Sequence, residues 1–219
     1  MLRKNFSVTL LAATFLLTAC GQKLPDSSAD KAVTAYAQLY TCGAIDADLR
    51  HTVNLTDAGI TEARQQIVAP LVRALEQYPL SDETILGVTE KFLDRMHRVM
   101  DIKTKIKRGD REHPTVELVA TNINSATVEI FAEDDDGLNA FKARIAELKA
   151  QGVTDDQLKR NHEVQSFALK AIGKFVGEFN MNEEATILVP CIVVTGADGK
   201  LYWQPEDVQA IARYITGQK

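Results

Sequence analysis

The chain is short of most residues and motifs that advertise a chemistry. It has three cysteines in 219 residues, too few for a scaffold held by disulfides. Its four histidines, at 51, 97, 113 and 162, never stand at the i, i+4 spacing of a helical metal pair. There is no Gly-x-Ser-x-Gly elbow, no phosphate-binding Gly-x-x-x-x-Gly-Lys loop and no Gly-x-Gly-x-x-Gly turn. Six prolines and 12 glycines exclude a collagen-like or low-complexity chain. Basic residues are outnumbered, 25 against 30 acidic ones, and the net charge is -5. That balance excludes a broadly basic nucleic-acid binder. No apolar run reaches the roughly 20 residues that span a bilayer as a helix. What remains, at 45% hydrophobic and 25% charged, is the profile of a globular domain.

One segment stands apart from that profile. Residues 1–20 read MLRKNFSVTLLAATFLLTAC. Arg3 and Lys4 form a positive start, and an apolar run from Phe6 to Leu17 follows. The run has the length of a signal-peptide core, not of a span. It ends in Leu17-Thr18-Ala19-Cys20, then Gly21. This resembles the lipobox of bacterial lipoproteins: a branched apolar residue, two small residues and a cysteine. The resemblance implies a diacylglyceryl thioether on Cys20, cleavage before it, and acylation of the new amine. Two or three acyl chains anchor a protein stably where one alone binds only marginally. The expected division is a signal peptide over 1–19, a lipidated tether over 20–30 and a single domain over 31–219. Cleavage removes Arg3 and Lys4 and none of the acidic residues. Such an acidic body has no bulk attraction for anionic headgroups. The ten residues from Gly21 to Asp30 reach at most about 35 Å.

Hydrophobic periodicity orders the rest. Ala32, Val33, Tyr36, Leu39 and Tyr40 recur at helical spacing, with Asp30 as a cap and Gly43 as a stop. Asp46 to Val53 reads as a short turn, and Thr61 to Gln77 as a helix that Pro79 ends. Ser81 caps a third helix. The period then drops to two over DIKTKIK (101–107) and TVELVATN (115–122), a hairpin with one wet face. A helix carrying Val128, Phe131, Leu138, Phe141, Ile145 and Leu148 follows. Thr154 and Gln157 form a capping box for one long helix running past Val164 to Phe179. ATILVPCIVVT (185–195) reads as a strand buried on both faces, with Pro190 at an edge or a bulge. A turn at Ala197-Asp198-Gly199, a return strand LYW (201–203) and a closing helix up to Gly217 complete the chain. The expected fold is α+β: an antiparallel, curved four-stranded sheet of two hairpins, packed with N-terminal, inserted and C-terminal helices.

This order of elements, AVTAYAQLYTCGAIDAD near the start and Asp198-Gly199-Lys200 with Trp203 near the end resemble a group of bacterial lipoproteins of unknown function. Their domain is related to the nuclear-transport-factor-2-like (cystatin-like) fold. The resemblance implies a conical sheet wrapped by helices, with a pocket at its wide end. The helical insert of residues 125–181 departs from the compact form of that fold.

Few side chains compete for a functional role. With Cys20 assigned to the anchor, Cys42 and Cys191 are left either to form a disulfide or to lie as two small buried hydrophobes. Lys103, Lys105, Lys107, Arg108 and Arg111 make a basic stripe on the wet face of the first hairpin. Such a stripe either protects an edge or docks an acidic partner. The histidines read as solvated. Glu133, Asp134, Asp135 and Asp136 before Gly137 lack the ligand spacing of a calcium loop and read as a helix turn or break. Ser125 and Ser166 have no base identifiable nearby. No metal, cofactor or nucleic acid is expected. The function expected is a membrane-anchored, extracytoplasmic cell-envelope lipoprotein that binds an envelope protein, a peptide or a small ligand without catalysis. The alternatives are an enzyme with its site in a conical pocket, or an assembly component of an envelope complex.

Overall fold

A computed structural model describes residues 23–109, 111–121, 135–178 and 184–215. The leader, Cys20, Val128, Phe131, Ser125, Glu133, Asp134, Phe179 and Gly217 lie outside them. Helix α1 (Ala29–Cys42) begins one residue before the expected cap and stops at Gly43, whose φ of 65° is the left-handed value glycine adopts without strain. A 3-10 turn (Arg50–Thr52) occupies the expected short turn. Helix α2 (Asp57–Leu75) starts a turn early because the Thr56 side chain accepts from the Gly59 amide. Helix α3 (Asp82–Val99) is capped by Ser81, as its sequence implies.

Strands β1 (Ile102–Arg108) and β2 (Thr115–Thr121) form the first hairpin. Helix α4 (Asp136–Ala150) is capped by Asp135, so that part of the acidic run is a helix start. The long helix expected after Thr154 is two helices. The capping box is present and opens α5 (Asp155–Arg160), and α6 (His162–Glu178) follows. Asn161 makes the break: its side-chain oxygen accepts from the Glu163 and Val164 amides, local bonds that compete with a continuous helix. Strands β3 (Glu184–Thr195) and β4 (Leu201–Pro205) and helix α7 (Val208–Ile215) close the chain.

The sheet is a four-stranded antiparallel meander in the order β1-β2-β3-β4. The α+β architecture read from the sequence is therefore the observed one. β3 is the long member and shares itself between partners: residues 184–190 pair with β2, and residues 191–195 pair with β4. Pro190 sits where one partner gives way to the other. It is neither on an edge strand nor in a bulge. Its carbonyl accepts from Glu206 beyond the end of β4, and the next amide, Cys191, donates to Pro114 before the start of β2. A missing donor is harmless where neither ladder needs one. The bulge lies in β1, where Lys107 is the extra residue between Ile106 and Arg108.

Two cores hold the body. The first joins one face of the sheet to α1 and α7, with Val116, Leu118 and Ala120 against Ala32, Val33, Ala35, Ile211 and Ile215, all fully buried. Four alanines of α1 let its backbone approach the sheet closely. The second core is helical and heavier, with Leu158, Val164, Ile145 and Phe141 packed against Leu75, Leu80 and Val88. Phe141 meets Tyr78 and Phe167 with ring centroids 5.8 and 6.0 Å apart, within the range of favourable tilted contacts.

Candidate functional site

Side chains alternate across a strand, so the sheet has two faces. The inner one is the first core. The outer one carries every second residue: Lys103 and Lys105 on β1; Glu117 and Val119 on β2; Thr186, Leu188, Ile192 and Val194 on β3; Tyr202 and Gln204 on β4. Leu188 is 46% exposed, and Val119, Ile192, Val194 and Tyr202 are half-buried. No hydrophobic cluster among the described residues includes any of these five.

β3 is thus not buried on both faces, as its unbroken apolar run implied. Its first half alternates strictly, with Glu184, Thr186 and Leu188 exposed. The run concealed an outer stripe of apolar side chains, which the strand pairing reveals. Antiparallel pairing puts Leu188 beside Glu117, which in turn faces Lys105. A polar neighbour on each adjacent strand marks a wet face.

The basic stripe lies on this same face, but its charges are partly spoken for. The Lys103 ammonium donates to Asp101 and Glu184, each at 2.7 Å. Those bonds, Asp101's first, raise its pKa above the ordinary lysine value. Lys107 pairs with Glu117 at 2.9 Å. Lys105 and Arg108 make no ion pair among the described residues. The fifth member, Arg111, belongs elsewhere. It lies in the loop between the first two strands and lines a groove with Leu24, Pro25, Pro114 and Trp203. Gly109 shapes that loop: its φ is +104°, and a β-carbon there would stand 2.2 Å from the His113 carbonyl oxygen, so only glycine fits.

The middle of the inner face is closed: Val116, Leu118 and Ala120 are 0% exposed and pack against α1 and α7. The pocket that the family resemblance implied has no room beneath these three residues. At the loop end of the same face, Ile106 and Trp203 line the groove that Leu24, Pro25 and Arg111 share.

Nor is the Cys42–Cys191 bridge formed. Both are buried free thiols. Cys42 packs with Met96, while Cys191 lies in the sheet core beside Val189 and Trp203. Burial pushes both thiols up, Cys191 to about 12 with Glu206 adding to it. They belong to two different clusters and behave as small hydrophobes.

All four histidines are exposed. His162 lines a groove with Ser166, Glu83 and Arg160. No hydrogen bond joins His162 to Ser166 or Glu83 among the described residues. No group of three or more His, Cys, Asp or Glu side chains is placed to hold a metal among the described residues.

The residues of the expected tether are more ordered than a linker. Leu24 packs against the first core, and the indole N–H of Trp203 donates to the Ser27 carbonyl at 3.0 Å. Nothing in the composition of GQKLPDSSAD announces this contact, because its partner lies 176 residues away.

No protein-family model matches the chain, and no curated protein matches it in sequence. One solved structure has a similar fold, the "putative lipoprotein (ycdA)" of Bacillus subtilis subsp. subtilis str. 168. It is 14% identical, with a TM-score of 0.56 over 86% of this chain and 55% of that one. The chain therefore spans about half the length of that protein. Among the described residues no helix is long and apolar enough to cross a membrane.

Proposed function

We propose that the chain is a lipoprotein of the bacterial cell envelope. It is anchored through acyl chains on Cys20 at the extracytoplasmic face and carries a domain that binds another envelope component without catalysis. The Leu17-Thr18-Ala19-Cys20 box after a short apolar run supports the anchor, and the fold shared with a protein described as a lipoprotein agrees with it. The likeness to nuclear-transport-factor-2-like domains rests on helices gathered over one face of an antiparallel sheet. With the middle of the inner face filled by α1 and α7, the domain interacts through its outer face.

The observation that carries the binding role is the outer face of the sheet. Leu188, Val119, Ile192 and Val194 form an apolar stripe beside Lys103, Lys105 and Lys107. Monomeric proteins seldom leave such a stripe bare without a use. Lysines at its margin suit a partner with carboxylates and also prevent edge pairing between copies. A photo-crosslinking amino acid placed at Leu188 in cells tests the role. Crosslinks to one defined envelope component at position 188, absent when the same probe replaces exposed Lys174 on α6, support it. No adduct at 188 beyond the level at 174 ends it. For the anchor, Cys20→Ser abolishes fatty-acid labelling and leaves unprocessed precursor; unchanged labelling refutes it.

A further inference from the structure

The way the tether is fastened has a consequence for how the domain stands on its membrane. The described chain begins at Lys23, and from Leu24 to Ser27 it is already held, by the first core and by the Trp203 indole. Only two residues, Gly21 and Gln22, separate Lys23 from Cys20, a reach of about 10 Å against roughly 30 Å had the tether been free to Ala29.

The point of emergence is defined on two sides. Lys23 shares a groove with His51, Gly199, Lys200 and Tyr202 at the β3–β4 turn. Leu24 and Pro25 share another with Gly109, Arg111 and Pro114 at the β1–β2 loop. Both turns lie at one end of the sheet. The other end, where β1 starts at Ile102 and β2 finishes at Thr121, is about 20 Å away along the seven-residue strands.

Charge selects the same end. Lys23, Arg108 and Arg111 make no ion pair among the described residues. Lys200 is held by Asp198 at 3.4 Å, and Asp26, Asp110 and Glu112 are the other acidic residues of the groove and the loop, so the two signs balance at this end. The far end is the more acidic, with Lys103 alone between Asp101 and Glu184. For a body with more acidic than basic residues, the end where the signs balance is the one an anionic surface repels least.

We propose that the turn-and-loop end of the sheet faces the membrane, held there by the Trp203–Ser27 fastening. Lys23, Arg108 and Arg111 then lie at the level of the phospholipid headgroup phosphates. This rests on the anchored-lipoprotein reading above. The outer face of the sheet then stands edge-on to the bilayer and stays open to a partner from the side.

The test uses the acylated protein in vesicles of phosphatidylethanolamine and phosphatidylglycerol with a trace of rhodamine-headgroup lipid. A fluorophore is carried on Lys200→Cys or on Asp101→Cys; Cys42 and Cys191 are buried and do not compete. Energy transfer to the lipid is expected to be at least about twofold greater from position 200 than from position 101, given the strand length between them. Equal transfer from both overturns the orientation.

Trp203→Phe, which keeps the ring and loses the donor, is expected to narrow the difference. An undiminished difference overturns the fastening. Arg108→Glu with Arg111→Glu is expected to lower transfer from position 200 on these vesicles and to leave it unchanged on pure phosphatidylcholine. No change on either removes the headgroup contacts. A copy with Ser at position 20, held by an N-terminal hexahistidine to nickel-chelate lipid, repeats the comparison without acylation. Failure of the anchor, read as absent acyl mass, is thereby distinguished from failure of the orientation.

Discussion

One residue along any strand separates two environments. On β2, Val116, Leu118 and Ala120 are 0% exposed beneath α1 and α7, while Thr115, Glu117 and Val119 alternate with them on a face no helix cluster covers. β3 repeats the contrast, with Val189 and Cys191 buried and Leu188 and Pro190 exposed. The middle of the inner face is sealed core. The outer face leaves Leu188 46% exposed. Apolar content alone does not separate the two: Leu118 and Leu188 are the same residue with opposite duties.

Substitutions can break or sharpen that contrast. The largest effect is expected at Leu118→Ala. It should cost about 2–5 kcal/mol of stability, the range for emptying a sealed core site, read from urea unfolding. A loss below 1 kcal/mol would mean the inner face is not the packed one. Next comes Trp203→Phe, where the Ser27 carbonyl loses its donor. A cost of about 1–3 kcal/mol is expected for a polar group left unpaired, together with faster proteolysis between Lys23 and Ala29. On the outer face, Leu188→Asp is expected to stay within about 0.5 kcal/mol of the parent while abolishing the crosslinks at that surface. A loss as large as that of Leu118→Ala would erase the distinction between the faces.

The two buried thiols test the packing without altering it, Cys191 in the inner-face core and Cys42 in the cluster with Met96. With burial raising Cys191 to about 12, a disulfide reagent at neutral pH should modify neither Cys42 nor Cys191 until the protein opens. In denaturant both should titrate. Immediate reaction of the folded protein would place Cys191 outside the core. The smallest effect is one of acid. Asp198 accepts from the Lys200 amide and the Tyr202 hydroxyl, and its pKa is lowered from 3.8. A carboxylate lowered on folding adds stability above its unfolded pKa, and that stability is lost as pH falls through the folded value. The stability that Asp198 adds should therefore be present above pH 3.8 and fade below it, and Asp198→Asn should remove that part of the acid sensitivity. Identical acid unfolding curves would show that the turn contributes nothing.

Much of the fold was legible because its signals are local. Ser81 and the Thr154–Gln157 box act within one turn, Gly43 supplies a backbone angle, and a period of two over residues 102–107 needs only its own residues. The errors came where a neighbour distant in sequence decides. β3 reads as buried on both faces because an apolar run has no period, and only the pairing with Glu117 and Lys105 shows which side is wet. Pro190 reads as an edge residue because a single strand does not reveal that its two partners meet there. Asn161 is the exception, because its signal is local: its side chain competes with the helix from inside a helical apolar pattern that hides it.

The candidate surface divides in the same way. Lys103, Lys105 and Lys107 follow from alternation. Arg111 was grouped with them by proximity in sequence, but the loop carries it to the tether side.

By itself the sequence determined the α+β class, the two hairpins and the lysine row. Each depends on a short run of residues whose spacing or turn chemistry has one local solution. Only the tertiary structure decided that Val116, Leu118 and Ala120 lie sealed beneath α1 and α7, that Cys42 and Cys191 stay apart, that Leu188 lies in the open, and that Ser27 is fastened by Trp203. Those four are outcomes of packing between segments far apart in the chain. Burial is a property of what comes to lie over a residue, and the residue's own type and spacing do not specify that.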